Sequence, residues 1–165
     1  MAWAAMNPII INWAGNSALP RTEIVAENSK TWKKGEFGFL TSGTVTPVAG
    51  TGKTDVTIFR FCETQITSTS TSTVWVQRIR TGTQMIMAVM DTGVAAAIAQ
   101  SNIGTKYGIE GLSNVTYLDL NTSSGPFEVI DLMSLRDPIM NSVQSFNGDT
   151  GVAGWAIVEF TGTVS

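Results

Sequence analysis

From Trp32 onward apolar and polar residues alternate in short runs that recur about every 8–14 residues, the pattern of an all-β chain. The alternation predicts strands over 36–41, 44–48, 55–63, 74–81, 84–90 and 94–99. A short one is expected over 107–109, and three more over 115–120, 127–132 and 153–161. In "VWVQRIR", Trp75, Gln77 and Ile79 fall on one face, and Val74, Val76, Arg78 and Arg80 on the other. "QMIMAVM", residues 84–90, is apolar on both faces and predicts a strand buried on both sides. "SLRDPIMNS" is the best place for a helical turn, with Asp137 as cap and Pro138 at the first helical position. "TSTSTST", residues 67–73, has nothing to bury and predicts a mobile, solvent-facing hairpin tip.

Residues 1–31 follow no such period. Trp3, Trp13 and the run Ile9-Ile10-Ile11 are interrupted by Pro8, Gly15 and Pro20, and a more polar stretch follows. The division expected is an extended N-terminal arm over 1–31 and a single small β-barrel or β-sandwich domain, jelly-roll-like, over 32–165. Trp75 and Trp155 lie in strand-like segments and are expected in the core or at its rim, while Trp32 closes one end of the barrel. Trp3 and Trp13 belong to a segment too short for a core of its own. Tryptophans there suit anchors on another surface. Folding back onto the chain's own domain is the alternative, and outward docking is favoured.

Composition narrows the function. Ten basic residues stand against 13 acidic ones in 165, which gives no basic footprint and argues against a nucleic-acid partner. The absence of histidine removes Ser-His and Cys-His nucleophile pairs and imidazole metal ligands. Cys62 stands alone, so no internal disulfide and no thiolate zinc cluster can form; it reads as a small buried hydrophobe. The N-terminus has no basic residue before Arg21, and Asn7-Pro8 and Asn12 break its apolar run, so neither a signal peptide nor a membrane span is expected. The sequons at Asn114 and Asn121 are then chance matches.

Motifs for chemistry are weak. "GTGKT", residues 50–54, looks like the end of a phosphate-binding loop. The glycine such a loop needs upstream is replaced by Pro47, and a strand follows where a helix should open. A hairpin loop with a solvated lysine is expected instead. Glu110 and Asp119 are the carboxylates closest to an acid–base pair, but solvated loop and strand faces are the preferred reading. "FNGDTG", residues 146–151, lacks the spacing and distal glutamate of a calcium loop and reads as a tight turn. Arg78 and Arg80 could bind a phosphate or carboxylate, but edge protection is the simpler account. No enzymatic activity, metal or cofactor is expected.

"TWKKGEFGFLTSGTV", "TQMIMAVMDTGVAAAIAQSNIGTKYGI", "VTYLDL", "PFEVIDL" and "GWAIVEF", in that order over about residues 31–161, resemble the capsid decoration (cement) proteins of tailed bacteriophages. The shared features are a strand opened by a lysine-glycine turn, an Ile-Gly-x-x-Tyr step, a Phe-x-Val strand and a closing C-terminal strand. The resemblance implies a non-enzymatic virion protein on the capsid exterior, assembled in the host cytoplasm. Its implied partner is the major capsid protein, which it binds as a homotrimer to tie neighbouring capsomers together. The expected capsid contacts are Trp3, Ile9, Ile10, Ile11 and Trp13. The rival is a ligand-binding β-sandwich, either a carbohydrate-binding module or a fibre domain for host attachment. Exposed aromatics on a sheet face beside acids or amides would favour that rival.

Overall fold

The computed structural model describes residues 6–65, 67–96, 98–132, 134–136, 143–145 and 154–164. The chain is all-β. Its strands are β1 (Ile9–Asn12), β2 (Thr22–Val25), β3 (Phe37–Thr41), β4 (Thr44–Pro47), β5 (Gly50–Lys53), β6 (Ile58–Phe61), β7 (Thr73–Arg78) and β8 (Gln84–Asp91). They continue as β9 (Val94–Ala95), β10 (Lys106–Leu112), β11 (Val115–Ser123), β12 (Phe127–Leu132), β13 (Ser134–Arg136), β14 (Val143–Ser145) and β15 (Trp155–Phe160).

Two sheets pack together. The smaller runs β2-β7-β6-β3-β4, and a parallel bridge from Ala26 to Val45 draws its two edges toward each other. The larger runs β1-β8-β11-β10-β12-β15, with β5 added on β10 and β9 on β8. Because β15 also pairs with β8, this path returns on itself. Several hairpins close through two-residue turns with positive φ at both positions, Ser42-Gly43, Thr92-Gly93 and Ser113-Asn114, whose twist matches that of the strands they join.

Buried hydrophobic residues form three clusters, the smallest of them Ala88, Met90, Tyr117 and Trp155, and period-2 alternation divides β6 between the other two. On β6, Ile58 faces the larger core with Phe37, Met85, Met87, Leu118 and Val158, whereas Phe59 and Phe61 face the smaller sheet's own core with Val45, Val74 and Val76. Trp32 fills that smaller core and stacks on Phe61 at 5.1 Å between ring centroids. Phe127 joins Phe37 and Phe160 in the larger core, with ring centroids 6.2 and 5.2 Å away. Close packing leaves no room for a side chain at Gly111, where a Cβ would meet the Val48 carbonyl oxygen at 1.8 Å.

Most expected strands are present, and β8 is buried on both faces between β1, β9, β11 and β15. Several readings differ or fall outside the described residues. Gly50–Lys53 is a strand on β10 where a hairpin loop was expected, because its backbone bonds replace the side-chain burial it lacks. The helical turn expected with Asp137 as cap and Pro138 in its first position lies outside the described residues, as does 146–151; on either side of it Ser134–Arg136 pairs antiparallel with Val143–Ser145. Within 67–73, Ser68 is only 2% exposed. Its hydroxyl donates to the Glu27 carbonyl and accepts from Lys30 N–H, which ties this segment to the 27–30 turn. Trp155 is buried as expected, but Trp75 is 43% exposed, because Val74 and Val76 take the inward positions of β7. Finally, residues 9–12 and 22–25 of the N-terminal segment are extended but hydrogen-bonded into the two sheets.

Candidate functional site

Of the five residues expected to contact a capsid, Trp3 lies outside the described residues; the others line one strand and its exit. β1 pairs antiparallel with β8 through Ile9–Ile86 and Ile10–Met85, and the ladder shifts between Ile10 and Asn12. Ile10 and Trp13 turn inward and pack, half-buried, against the larger core. Ile9 and Ile11 turn outward, 40% and 48% exposed. The Ile9–Ile11 run hides its period in sequence because the two outward positions are as apolar as the inward one. Among the described residues β1 ends the sheet, so its second edge carries unpaired N–H and C=O groups beside two exposed isoleucines.

The start of this segment is held firmly. Asn7 Nδ2 donates to the Asn114 carbonyl at 3.1 Å, and Asn7 Oδ1 accepts from Thr116 N–H at 2.9 Å. At the far end Ala14 N–H donates to Thr83 Oγ1. Residues 7–14 are thus a fixed edge whose outward side chains are presented, not loose. Between Met6–Ile9 and the Lys33–Gly35 turn lies an open cleft of about 610 Å³ reached by Arg60. The sequence marked Lys33-Lys34-Gly35 as a turn but gave no sign that Arg60, 25 residues on, closes over it.

The two carboxylates each accept hydrogen bonds from nearby backbone N–H groups. Glu110 and Asp119 were expected on solvated faces, yet both are buried on β10 and β11. Glu110 accepts the Gly93 N–H with both oxygens, at 3.0 and 3.1 Å, and pins the β8–β9 turn. Burial pushes its carboxyl above the usual range, the Gly93 N–H opposes this, and the charges of Asp119 and Asp91 add to the rise. Asp119 accepts from Gly52 N–H, Asn121 N–H and the Thr122 hydroxyl, which fastens β5 to the sheet. These hydrogen bonds offset the cost of burying them, which is why alternation along the sequence did not reveal the burial. A third carboxylate, Glu36, is 1% exposed, accepts from Lys33 N–H at 2.9 Å, and is pushed up to about 7 by burial.

Arg78 and Arg80 both line a cleft of about 770 Å³ between residues 19–22, 56–57 and the end of β15, so they border a junction between the sheets. Trp75 stands across from Glu23 on β2, and its backbone N–H donates to a Glu63 carboxylate oxygen at 3.4 Å. Among the described residues, no group of three or more Cys, Asp or Glu side chains is placed to hold a metal, and no helix is long and apolar enough to cross a membrane.

No protein-family model matches the sequence, and no curated protein or solved structure matches it either.

Proposed function

We propose that this chain is a structural virion protein that binds the outer surface of a phage capsid and stabilises the shell by bridging neighbouring capsomers. One observation carries the reading: a pinned strand, β1, displays Ile9 and Ile11 beside an edge that has no partner strand among the described residues. Such an edge can add a strand to a partner's sheet, where main-chain bonds give affinity and alternate side chains give register. The order of motifs shared with decoration proteins supplies the capsid as partner and a homotrimer as the bound form. On a lattice, many modest contacts of this kind sum to firm attachment.

Deleting residues 1–20 is a poor test, because it also removes Ile10 and Trp13 from the larger core and both Asn7 bonds. The pair Ile9→Asp and Ile11→Asp changes only outward side chains. The exposed half of an isoleucine is worth roughly 1 kcal/mol on burial, and a desolvated carboxylate opposes docking further. The double variant should keep the wild-type melting curve and lose at least about tenfold in affinity for particles stripped of this protein. Wild-type particle binding by a folded double variant would sink the edge-strand reading.

A second reading has one observation in its favour. Trp75 is exposed on a sheet face with Glu23 and Glu63 beside it, an arrangement suited to stacking and hydrogen-bonding a sugar ring. Glycan-array binding that disappears in Trp75→Ala would transfer the function to a carbohydrate-binding module or host-attachment domain.

A further inference from the structure

The cleft beside β1 gathers three cationic side chains, none of them in an ion pair among the described residues. Lys33, Lys34 and Arg60 all line it, on a chain whose formal net charge is −3. The ion pair found among the described residues joins Lys30 to Glu27 and involves none of the three. Arg60 is the decisive residue: its Nε is buried, yet has no hydrogen-bond partner. A buried guanidinium N–H without an acceptor is costly, and such groups are normally satisfied by something. Its position is built rather than incidental. Gly35 adopts φ 90° and donates its N–H to the Phe61 carbonyl, and Lys34 N–H is held by Thr64 Oγ1. The Gly35 Cα lies beneath the guanidinium, with the Cβ position 3.9 Å from Arg60 Nη2 and 3.4 Å from Asn7 Cβ, which puts the arginine head between this turn and the N-terminal segment. Opposite the charges, Met6, Pro8, Ile9 and Val115 form an apolar wall, and Met6 and Ile9 are exposed.

We propose that this cleft recognises an acidic segment of the protein to which the chain attaches, with a carboxylate seated on Arg60 and flanked by Lys33 and Lys34. The inference rests on the attachment reading for the identity of the partner, but the site's chemistry stands on its own residues. A planar guanidinium matches a carboxylate in two parallel bonds, and two lysines add charge without fixing geometry. The apolar wall favours a peptide over a free inorganic anion, because an anion alone would leave Met6 and Ile9 facing water. The volume lies in the range of ligand-binding clefts, roughly 300–1,000 Å³. A segment lying along Met6–Ile9 would also run beside the edge of β1, so charge recognition and strand addition would set register together.

The arginine Nε–H resonance of Arg60 reports on the site directly. The full chain is titrated with an acetylated, amidated pentapeptide of valine alternating with aspartate and glutamate. Parallel titrations use its asparagine and glutamine counterpart, and inorganic phosphate. The expected result is a saturable shift of the Arg60 signal with the acidic peptide, weakened about tenfold by Arg60→Lys and by Lys34→Gln, and absent with the neutral peptide. Lys34→Gln leaves the backbone bond to Thr64 in place, so it keeps the test open where an Arg60 variant folds poorly. An equal shift with the neutral peptide, an equal response to phosphate, or no shift overturns the proposal. Failure of the attachment reading looks different: the acidic peptide binds, but the chain does not travel with particles. Particle binding that is unchanged in Lys34→Gln and Arg60→Lys overturns the cleft while leaving attachment standing.

Discussion

Glu36 should make this protein less stable as pH rises through neutrality. It lies 1% exposed at the start of β3, where it accepts the Lys33 N–H and a side-chain hydrogen bond from Asn114. Burial raises its carboxyl from 4.5 to about 7, with those hydrogen bonds and the Lys33 charge opposing. The folded state therefore holds a proton that the unfolded state has released between these values. Stability from this group is fully present below about pH 4.5 and is lost as pH climbs through 7. A shift of this size corresponds to about 3 kcal/mol, at 1.36 kcal/mol per pH unit. Glu36→Gln keeps an acceptor for Lys33 and cannot ionise. Urea unfolding at pH 5, 6, 7 and 8 compares the two proteins, and the difference isolates Glu36 from Glu110, whose carboxyl shifts in the same direction. The variant should gain on the wild type by about 2–3 kcal/mol between pH 5 and pH 8. A gap that does not change with pH would refute the reasoning, because Glu36 would then ionise at the same pH folded and unfolded.

Other outcomes follow from the packing. Asp119→Ala should cost about 2–4 kcal/mol in denaturant unfolding, because it leaves two backbone N–H groups without their acceptor, and should speed hydrogen exchange at Gly52. A loss under about 0.5 kcal/mol would show that β5 does not depend on this carboxylate. Gly111→Ala should cost at least about 2 kcal/mol, since the new methyl would fall on the Val48 carbonyl; unchanged stability would mean β5 can move away freely. Cys62 is a buried free thiol whose pKa is raised, by burial first of all. It should resist a thiol-reactive dye at pH 8 in the native state and react on adding denaturant; rapid native labelling would contradict its placement.

The fold was most legible where alternation and burial coincide. "FEVIDL" became β12 with its expected bounds, and "QMIMAVM" became a strand covered on both faces. Legibility failed where backbone bonding, not side-chain burial, makes the strand. "GTGK" shows glycines and a lysine because β5 sits outside β10, held by ladder bonds and by Asp119. "TEIV" places only Ile24 against the smaller core, too little for a period to show. Charge at the site was hidden for another reason. Sequence separates Lys33 and Lys34 from Arg60, and the β3–β6 pairing, with Phe37 opposite Arg60, brings the guanidinium to that turn. Trp75 misled in the opposite way, because its face of β7 extends beyond the larger core while Val74 and Val76 supply the burial.

The central claim is attachment to a shell, and the direct measurement is sedimentation of the native source lysate on a density gradient, with this chain followed by mass spectrometry. The account predicts that it travels with DNA-filled particles at a copy number comparable to that of the major shell protein. Recovery only at the top of the gradient, free of particles, would contradict it.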